Sequence, residues 1–304
     1  MMTVATGCGL AFRSSARNED LARLPGCAGV YRLLDIEGNV LYIGKSVNIR
    51  NRVRTHLACG GKTARQKRMV SAIHGVEYRP TAGEVGALLL ENAAIKREMP
   101  TYNRRQRAMR SMWSYTLEHQ RSGFLQPHLR AYSMDRADVR ATYGCYGSRY
   151  HGRKALEKLA RDEALCPRAL ALERGRGPCF QYQIRRCRGA CVGEEKPEDH
   201  NARLLNVLEK HRLSAWPVTT PVLLQEIGVG EPAPDQEWHL LHNWIYLGTF
   251  SNPEEARRAD PSEAVMFDRD TYRILRSALR RSDVTLFDLE TLAPVAWADR
   301  GLGT

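Results

Sequence analysis

Residues 29–44, Gly-Val-Tyr-Arg-Leu-Leu-Asp-Ile-Glu-Gly-Asn-Val-Leu-Tyr-Ile-Gly, decide the fold of the first part of this chain. Two β-rich stretches, 29–34 and 40–44, lie on either side of a turn that contains glycine and asparagine, which predicts a β-hairpin. Each stretch carries a tyrosine, Tyr31 or Tyr42, near a glycine that allows close approach of backbone or ligand. Two isolated tyrosines more often pack across a sheet than form a site, so the hairpin alone does not indicate a function.

The residues after the hairpin predict helices that complete a first block ending at Asn103. Ser46 is a candidate N-cap for a helix over residues 47–57, and near-helical spacing places Lys45, Arg52 and His56 on one side of it. A basic helical stretch around 65–73 and a short strand near 76–79 follow. A long helix is expected from residue 84 to about 97, closed by a proline at position 100.

Glu91 stands out on this long helix because it lies within the apolar stripe and not opposite it. It is three residues after Leu88 and four before Ile95, which is the spacing of neighbours on one helix face. A buried carboxylate is costly without a partner or a cation. A salt bridge to Arg52 or Lys45 and a metal site therefore both remain open.

Together these features resemble the GIY-YIG nucleases, and the block closely resembles the N-terminal nuclease domain of the excision-repair protein UvrC. The resemblance is carried by Gly-Val-Tyr at 29–31, by Leu-Tyr-Ile-Gly-Lys-Ser-Val-Asn-Ile-Arg-Asn-Arg-Val-Arg-Thr-His at 41–56, by Gly-Ala-Leu-Leu-Leu-Glu-Asn-Ala-Ala-Ile-Lys at 86–96, and by Tyr-Asn at 102–103. It implies an α+β fold, in which a small three-stranded antiparallel sheet is flanked by helices. It also implies a metal-dependent endonuclease.

The resemblance further implies how the site residues divide the chemistry. Glu91 would hold one divalent cation, Mg²⁺ or Mn²⁺, and one of the two tyrosines, with Tyr42 slightly preferred, would act as general base. Many UvrC sequences have a tyrosine where this chain has His56, so the role of that residue is the least defined. The complete catalytic set is Tyr31, Tyr42, Lys45, Arg52, His56, Glu91 and Asn103.

Four cysteines, at positions 166, 179, 187 and 191, can close around one metal centre. A chain with eight cysteines and no recognisable secretory signal indicates a reducing compartment, where clustered thiols mean metal more often than disulfides. Small buried residues are the simpler alternative. The stretch around Cys166, Cys179, Cys187 and Cys191 also resembles UvrC, which implies a [4Fe-4S] cluster, with a four-cysteine zinc site as the alternative.

The distribution of charge favours a polyanionic ligand. The net charge is +12, and residues 201–304 hold 11 basic and 15 acidic side chains of the 46 and 34 in the chain. Residues 1–200 therefore hold 35 and 19, a surplus that predicts nucleic acid binding, with a basic solubility surface as the alternative. The candidate DNA contacts are Arg50, Arg54, Arg65, Lys67, Arg68, Arg104, Arg105, Arg185, Arg186 and Arg188. No apolar run is long enough for a membrane span, so a cytoplasmic, nucleoid-associated bacterial protein is expected.

The domain organisation predicted from the sequence has four parts. Residues 1–20 are expected to form a disordered tail, 21–105 the nuclease domain, 106–200 a UvrC-like linker with the cysteine cluster, and 201–304 a small separate α/β domain. Within 106–200 two or three strands and a helix over 154–165 are expected. The aromatic residues of the last part are expected in a core.

The last part of the chain contains Trp-His-Leu-Leu-His-Asn-Trp-Ile-Tyr-Leu-Gly at 238–248 and Phe-Asp-Arg-Asp-Thr-Tyr-Arg-Ile-Leu at 267–275. With these stretches it resembles Cho-type nucleases, which are standalone homologues of UvrC. This resemblance implies an incision on the 3′ side of a lesion, on damaged double-stranded DNA prepared by UvrA and UvrB. Two alternatives remain: a GIY-YIG nuclease that selects a sequence or structure without UvrB, and a catalytically silent DNA-binding module.

Overall fold

A computed structural model describes residues 8–11, 21–58, 63–104, 106, 112–132, 142–213, 216, 218, 220–229, 231–259, 267–281 and 284–296. The chain forms two compact units. The described residues up to 106 and those from 218 to 296 belong to the first unit, and those from 112 to 216 belong to the second. No helix in these ranges is long and apolar enough to cross a membrane.

The first unit contains the predicted hairpin in an antiparallel sheet. Its strands are β1 (Cys8–Ala11), β2 (Gly29–Leu34), β3 (Val40–Ser46) and β4 (Gly75–Pro80), in the order β1-β4-β2-β3. The three-stranded core β4-β2-β3 confirms the predicted GIY-YIG sheet. The expectation of a disordered tail over 1–20 is wrong for residues 8–11, because β1 pairs with β4.

Three helices accompany this sheet: α1 (Ile49–Ala58), α2 (Ala64–Ala72) and α3 (Glu84–Glu98). The N-cap of α1 is Asn48, and not Ser46 as expected, because Asn48 Oδ1 accepts from the Asn51 amide at 2.9 Å. The Ser46 hydroxyl instead accepts from the Asn48 amide and positions the cap. In α2, Thr63 and Gln66 form a capping box.

A second antiparallel sheet in the first unit is built from the C-terminal part of the chain. It contains β8 (Val222–Ile227), β9 (Gln236–His242), β10 (Ile245–Phe250), β11 (Thr285–Asp288) and β12 (Pro294–Val295), in the order β10-β9-β8-β11-β12. The helices α7 (Pro253–Arg257) and α8 (Arg269–Leu279) belong to the same part. Trp244 and Tyr272 pack at 4.7 Å in the interior, which agrees with the expected core role of the aromatic residues.

The C-terminal part, predicted as a separate α/β domain, packs against the nuclease part of the first unit. It shares one compact unit with the nuclease sheet, and buried polar contacts join it to α3. The Asn92 side-chain amide donates to Asp268 Oδ2 and to the Thr271 hydroxyl, both at 2.9 Å. Lys96, also on α3, forms an ion pair with Asp268. Buried polar groups need such partners, and here the partners come from the other part of the chain.

The second unit contains a three-stranded antiparallel sheet of β5 (Trp113–His119), β6 (Leu125–Ala131) and β7 (Thr142–Tyr146), in the order β6-β5-β7. Its helices are α4 (Arg149–Asp162), α5 (Phe180–Gln183) and α6 (Pro197–Glu209), with a 3₁₀ turn over Ala190–Val192. The helix expected over 154–165 begins earlier, because the Ser148 hydroxyl caps it by accepting from the His151 amide.

The boundary predicted at residues 200 and 201 is also wrong, since it cuts through α6. Leu204 and Leu208 of this helix are buried in the same cluster as Tyr115 and Leu156 of the second unit. The second unit therefore contains the whole of α6.

Candidate nuclease site and cysteine cluster

The glycines of the hairpin make room for the site. Tyr31 lies opposite Gly44 in the register of β2 and β3, and a Cβ atom at Gly44 would lie 2.5 Å from the Tyr31 hydroxyl oxygen and 2.8 Å from Tyr42 Cε1. A Cβ atom at Gly29 would collide with the Arg79 carbonyl oxygen and would lie 2.7 Å from Ile49 Cδ1. Both signature glycines are therefore required by close packing.

The rings of Tyr31 on β2, Tyr42 on β3 and His56 on α1 lie close together beside Gly44. The Tyr42 ring lies 5.1 Å from the His56 ring and 6.2 Å from the Tyr31 ring, and the Tyr31 and His56 rings are 6.1 Å apart. Tyr31 is fully buried, whereas Tyr42 and His56 are partly exposed. Of the two tyrosines, Tyr42 is therefore the one whose side chain reaches solvent.

Arg52 supplies positive charge to this ring cluster. Burial and the neighbouring Tyr42 raise the pKa of Tyr31, and the Arg52 guanidinium partly offsets the rise. Burial and the Glu91 carboxylate raise the pKa of Tyr42, again against Arg52. Burial, followed by the charge of Arg52, lowers the pKa of His56, so this imidazole is neutral near pH 7.

Glu91 lies on α3 beside the end of β3. Its Oε1 accepts from the Lys45 backbone amide at 3.0 Å, and the Lys45 ammonium lies 2.5 Å from Glu84 Oε1 at the start of the same helix. Burial raises the pKa of Glu91, and the Lys45 amide and the charges of Lys45 and Arg52 offset only part of the rise. The salt bridge considered between Glu91 and the Lys45 side chain is therefore replaced by a bond to the Lys45 backbone.

Asn103 acts on the backbone of β3. Its Oδ1 accepts from the Ile43 amide at 2.9 Å, and its Nδ2 donates to the Ile43 carbonyl at 2.8 Å. Asn103 is buried, so its contact with the site passes through the strand that carries Tyr42. It ties the segment after α3 to the signature hairpin.

The four cysteines of the second unit converge on one point. The Sγ atoms of Cys166, Cys179, Cys187 and Cys191 all lie within 4.8 Å of one another, and only Cys191 is partly exposed. The amides of residues 179, 182 and 189 donate to these sulfurs at 3.3–3.4 Å. Burial raises the pKa of Cys179 to about 11, whereas amide and thiol hydrogen bonds lower that of Cys191 despite its burial. Four convergent thiols with amide donors fit a metal centre that binds thiolates.

Three family models match successive parts of the chain. Residues 27–104 match the UvrC-like GIY-YIG domain, residues 114–210 the UvrC/Cho excinuclease middle domain, and residues 221–293 the excinuclease Cho C-terminal domain. The excinuclease Cho of Salmonella typhi is 35% identical over 276 residues, with 89% of each chain covered. The chain belongs to the Cho family of excinucleases.

Two further matches cover less of this Cho-family protein. The UvrABC system protein C of Methylococcus capsulatus is 37% identical over 191 residues, which cover 62% of this chain and 30% of the relative. A crystal structure of the GIY-YIG N-terminal endonuclease domain of Thermotoga maritima UvrC, bound to magnesium as its catalytic divalent cation, is 28% identical. It covers 30% of this chain and 99% of that chain, with a TM-score of 0.27. The expected Cho resemblance and the GIY-YIG nuclease class are confirmed by the family matches.

The structure brings the whole predicted catalytic set of this Cho-family nuclease onto adjoining elements. The side chains predicted to contact DNA differ in their hydrogen bonds within the protein and in their solvent exposure. Arg50 Nε donates to the Leu24 carbonyl at 2.6 Å, and Arg65 donates to the Thr101 carbonyl at 3.2 Å. Arg105 lies outside the described residues. The candidate side chains that are exposed are Arg54, Arg65, Lys67, Arg68, Arg104, Arg185, Arg186 and Arg188.

Sequence reasoning missed two carboxylates of the first unit. Glu84 pairs with Lys45. Glu226 on β8 accepts from the Val85 and Gly86 amides at 2.9 and 2.6 Å. No local pattern predicts the second contact, because 140 residues separate Glu226 from Gly86. The one faint signal is Gly86 in the first turn of the helix, because glycine within a helix is less favourable than alanine.

Proposed function

We propose that this Cho-family excision-repair nuclease cuts one DNA strand on the 3′ side of a lesion, on DNA prepared by UvrA and UvrB. The proposal is supported above all by one observation, the convergence of the partly buried Glu91 carboxylate, the Tyr42–His56 ring pair and Arg52 beside the signature hairpin. The resemblance to Cho supports the side of the cut and the dependence on UvrB.

The residues around Glu91 fit a hard divalent cation. Glu91 is a mostly buried carboxylate whose Oε1 already accepts from the Lys45 amide, which fixes its orientation. Mg²⁺ is often held by one or two carboxylates together with waters, so a single protein carboxylate is sufficient. A bound Mg²⁺ or Mn²⁺ would supply polarisation of the scissile phosphate and stabilise the leaving oxygen.

Tyr42 is the proposed general base. It is the more exposed of the two tyrosines and stacks near His56, whereas Tyr31 is fully buried beneath Gly44. A base must reach the water it deprotonates, which favours Tyr42. His56, neutral near pH 7, can pass the proton on from the phenol.

Two cations complete the proposed chemistry. The Arg52 side chain is exposed and carries the charge that already acts on both tyrosines, so it can stabilise charge on the phosphoryl oxygens. The Lys45 ammonium is paired with Glu84, which holds it at the start of α3. Asn103 keeps β3, and with it Tyr42, in register through its two bonds to Ile43.

The exposed basic side chains of each unit are proposed to contact DNA phosphates. In the first unit these are Arg54, Arg65, Lys67, Arg68 and Arg104, and in the second Arg185, Arg186 and Arg188, which lie between the ligand cysteines. Such contacts position a duplex without reading its sequence. This suits a nuclease whose target is a lesion and not a base sequence.

The cysteine cluster is proposed to hold a [4Fe-4S] centre, with zinc as the alternative. Both metals bind four thiolates, and the separation of the four sulfurs within 4.8 Å does not distinguish them. Visible absorption of protein purified without oxygen, together with iron and zinc analysis, tests this assignment. A colourless protein with one zinc per chain would replace the cluster by zinc.

The deciding experiment is incision of a duplex that carries one defined adduct, with and without UvrA and UvrB, mapped to the nucleotide. The expected product is a single nick on the 3′ side of the adduct that requires both proteins. Cutting of undamaged DNA at one sequence would establish a UvrB-independent nuclease instead. Absence of cutting under every metal condition would establish a silent binding module.

Glu91→Gln is the matched variant for the metal site. Loss of a metal interaction worth several kcal/mol should slow nicking by at least about a hundredfold. Glu254→Gln, at an exposed position on α7, is the control and should nick like the wild type. Undiminished nicking by Glu91→Gln would remove Glu91 from the proposed metal site.

A further inference from the structure

The start of α3 lacks a cap of its own. Gly83 is the N-cap residue of this helix and provides no side-chain hydrogen bond. The first turn of a helix leaves backbone N–H groups without intrahelical partners, and a buried end needs them satisfied. α3 is the helix that carries Glu91, so its missing cap bears directly on the nuclease site.

Glu226 of the C-terminal sheet takes the place of that cap. Its Oε1 accepts from the Val85 amide at 2.9 Å, and its Oε2 accepts from the Gly86 amide at 2.6 Å. A carboxylate that accepts two helix N–H groups is a strong cap, because it satisfies two donors and its charge opposes the positive end of the helix dipole.

The carboxylate is itself held by a chain of buried groups. His239 Nε2 lies 3.0 Å from Glu226 Oε2, and His239 Nδ1 lies 2.8 Å from the Thr249 hydroxyl, which lies 2.6 Å from the Tyr246 hydroxyl. An ionised carboxylate only accepts, so the Nε2 hydrogen points to Glu226. His239 is fully buried. The cap is therefore fixed in orientation by the interior of the C-terminal sheet.

The two glycines at this helix start are explained by the same contact. A Cβ atom at Gly83 would collide with Glu226 Oε1, and one at Gly86 would lie 2.7 Å from His239 Cε1 and 3.0 Å from Glu226 Oε2. Side chains at these two positions would exclude the carboxylate and the imidazole. A second carboxylate of the same sheet, Glu237, accepts from the Ala82 amide at 3.0 Å just before the helix.

We infer that Glu226 is a positioning residue of the nuclease site, through which the Cho C-terminal domain sets the place of the helix that carries Glu91. A displacement of α3 would break both bonds that join Lys45 to this helix, the one from its amide to Glu91 and the one from its ammonium to Glu84. The inference goes beyond the proposed function and rests on its assignment of Glu91 as the metal ligand.

Mn²⁺ binding to the full-length protein tests the inference with a readout other than nicking. Groups that orient a metal ligand typically contribute about 10–100-fold to metal affinity or activity, so Glu226→Ala should weaken Mn²⁺ binding about tenfold. The exposed Glu254→Gln control should bind as the wild type does. Measurements are made well below the melting temperature of each variant.

A rescue variant separates positioning from general stability. Gly83 has an extended backbone that any residue adopts, and removal of the Glu226 carboxylate opens space for a side chain there. Gly83→Ser should therefore restore Mn²⁺ affinity in the Glu226→Ala background by providing a local cap, and should weaken it in the wild-type background. An effect of Gly83→Ser with the same sign in both backgrounds would overturn the inference.

Hydrogen exchange of the wild type keeps the inference testable if Glu226→Ala does not fold. The Val85 and Gly86 amides should exchange slowly, because Glu226 accepts from both. Rapid exchange at these two amides would contradict the inference. If Glu91→Gln binds Mn²⁺ as tightly as the wild type does, the proposed metal site is contradicted instead. The failure of the inference and the failure of the proposed metal site are therefore distinguishable.

Discussion

Tyr31 and Tyr42 carry the same phenol in different surroundings. Tyr31 is enclosed between Gly44 and the interior, while Tyr42 is partly exposed and lies next to His56. Burial raises the pKa of both phenols. The two tyrosines therefore differ in solvent exposure and not in chemical type. Substitution of each in turn can test which of them acts as the base.

Phenylalanine substitutions should divide the two roles. Tyr42→Phe should lower kcat by about a hundredfold or more, the usual contribution of a general base, while Tyr31→Phe should have a smaller effect. The pKa of Tyr42 is raised, so the wild-type nicking rate should climb with pH through the alkaline range as the phenolate fraction grows. Tyr42→Phe should flatten this rise. If Tyr31→Phe flattens it instead, the base is Tyr31.

A change in the charge at Glu91 should also change the pKa of Tyr42. The Glu91 carboxylate raises the pKa of Tyr42, so neutralising this charge with Mg²⁺ should move the tyrosinate titration to lower pH. Ultraviolet difference titration with and without Mg²⁺ measures the shift. Glu91→Gln should lower the same pKa without metal and should remove the response to Mg²⁺. An unchanged titration in both comparisons would contradict the coupling.

At the scale of elements, α3 has two faces with different tasks. Glu91 meets β3, while Asn92 and Lys96 form buried contacts with Asp268, which is the N-cap of α8. One helix is thus shared by the nuclease sheet and the C-terminal part. The stability of the first unit should depend on this shared face.

Asp268→Ala should lower the free energy of unfolding by about 3 kcal/mol, because it leaves the buried Lys96 with only the more distant Asp270 carboxylate, 3.8 Å away, as a charged partner. The exposed Asp235→Ala is the control and should cost little. Burial raises the pKa of Asp268, but bonds from Lys96 and Asn92 outweigh it and the net pKa is lowered. This stability is therefore present above the unfolded pKa of about 3.9 and is lost as pH falls through the folded value. Urea denaturation between pH 3 and 7 measures both effects.

The elements of the nuclease part could be predicted from sequence because local patterns specify them. The hairpin has its turn residues, and α3 has an apolar stripe interrupted by Glu91. Strand β1 was not predicted because its pairing partner β4 is more than 60 residues away. The cap from Glu226 was not predictable for the same reason, since long-range contacts leave no periodic pattern near either residue.

At the scale of the whole molecule, the two proposed metal sites belong to different units. The first holds the proposed cation site at Glu91, and the second holds the thiols around Cys179. Nothing in residue spacing alone revealed that the C-terminal part belongs with the first unit. Carboxylates of this net acidic part, such as Glu226 and Glu237, accept hydrogen bonds inside the unit.

Cys179→Ser should destabilise the second unit and leave the first folded. Loss of a structural metal removes folding free energy directly, and about 2 kcal/mol would lower the Tm of a unit of about 100 residues by roughly 10 °C. Calorimetry should resolve two transitions, with only one moved by the substitution. Cys145→Ser, outside the cluster, should move neither by as much. Equal shifts of both transitions would contradict a metal centre confined to the second unit.

The snug fit of Gly83 and Gly86 against Glu226 and His239 has a practical consequence for chimeric enzymes. Grafting this C-terminal sheet onto another GIY-YIG scaffold should succeed only where the recipient has glycine at both equivalent places. In recipients with larger residues at these places, both residues would first have to be replaced by glycine. Otherwise the grafted sheet would not pack against the helix.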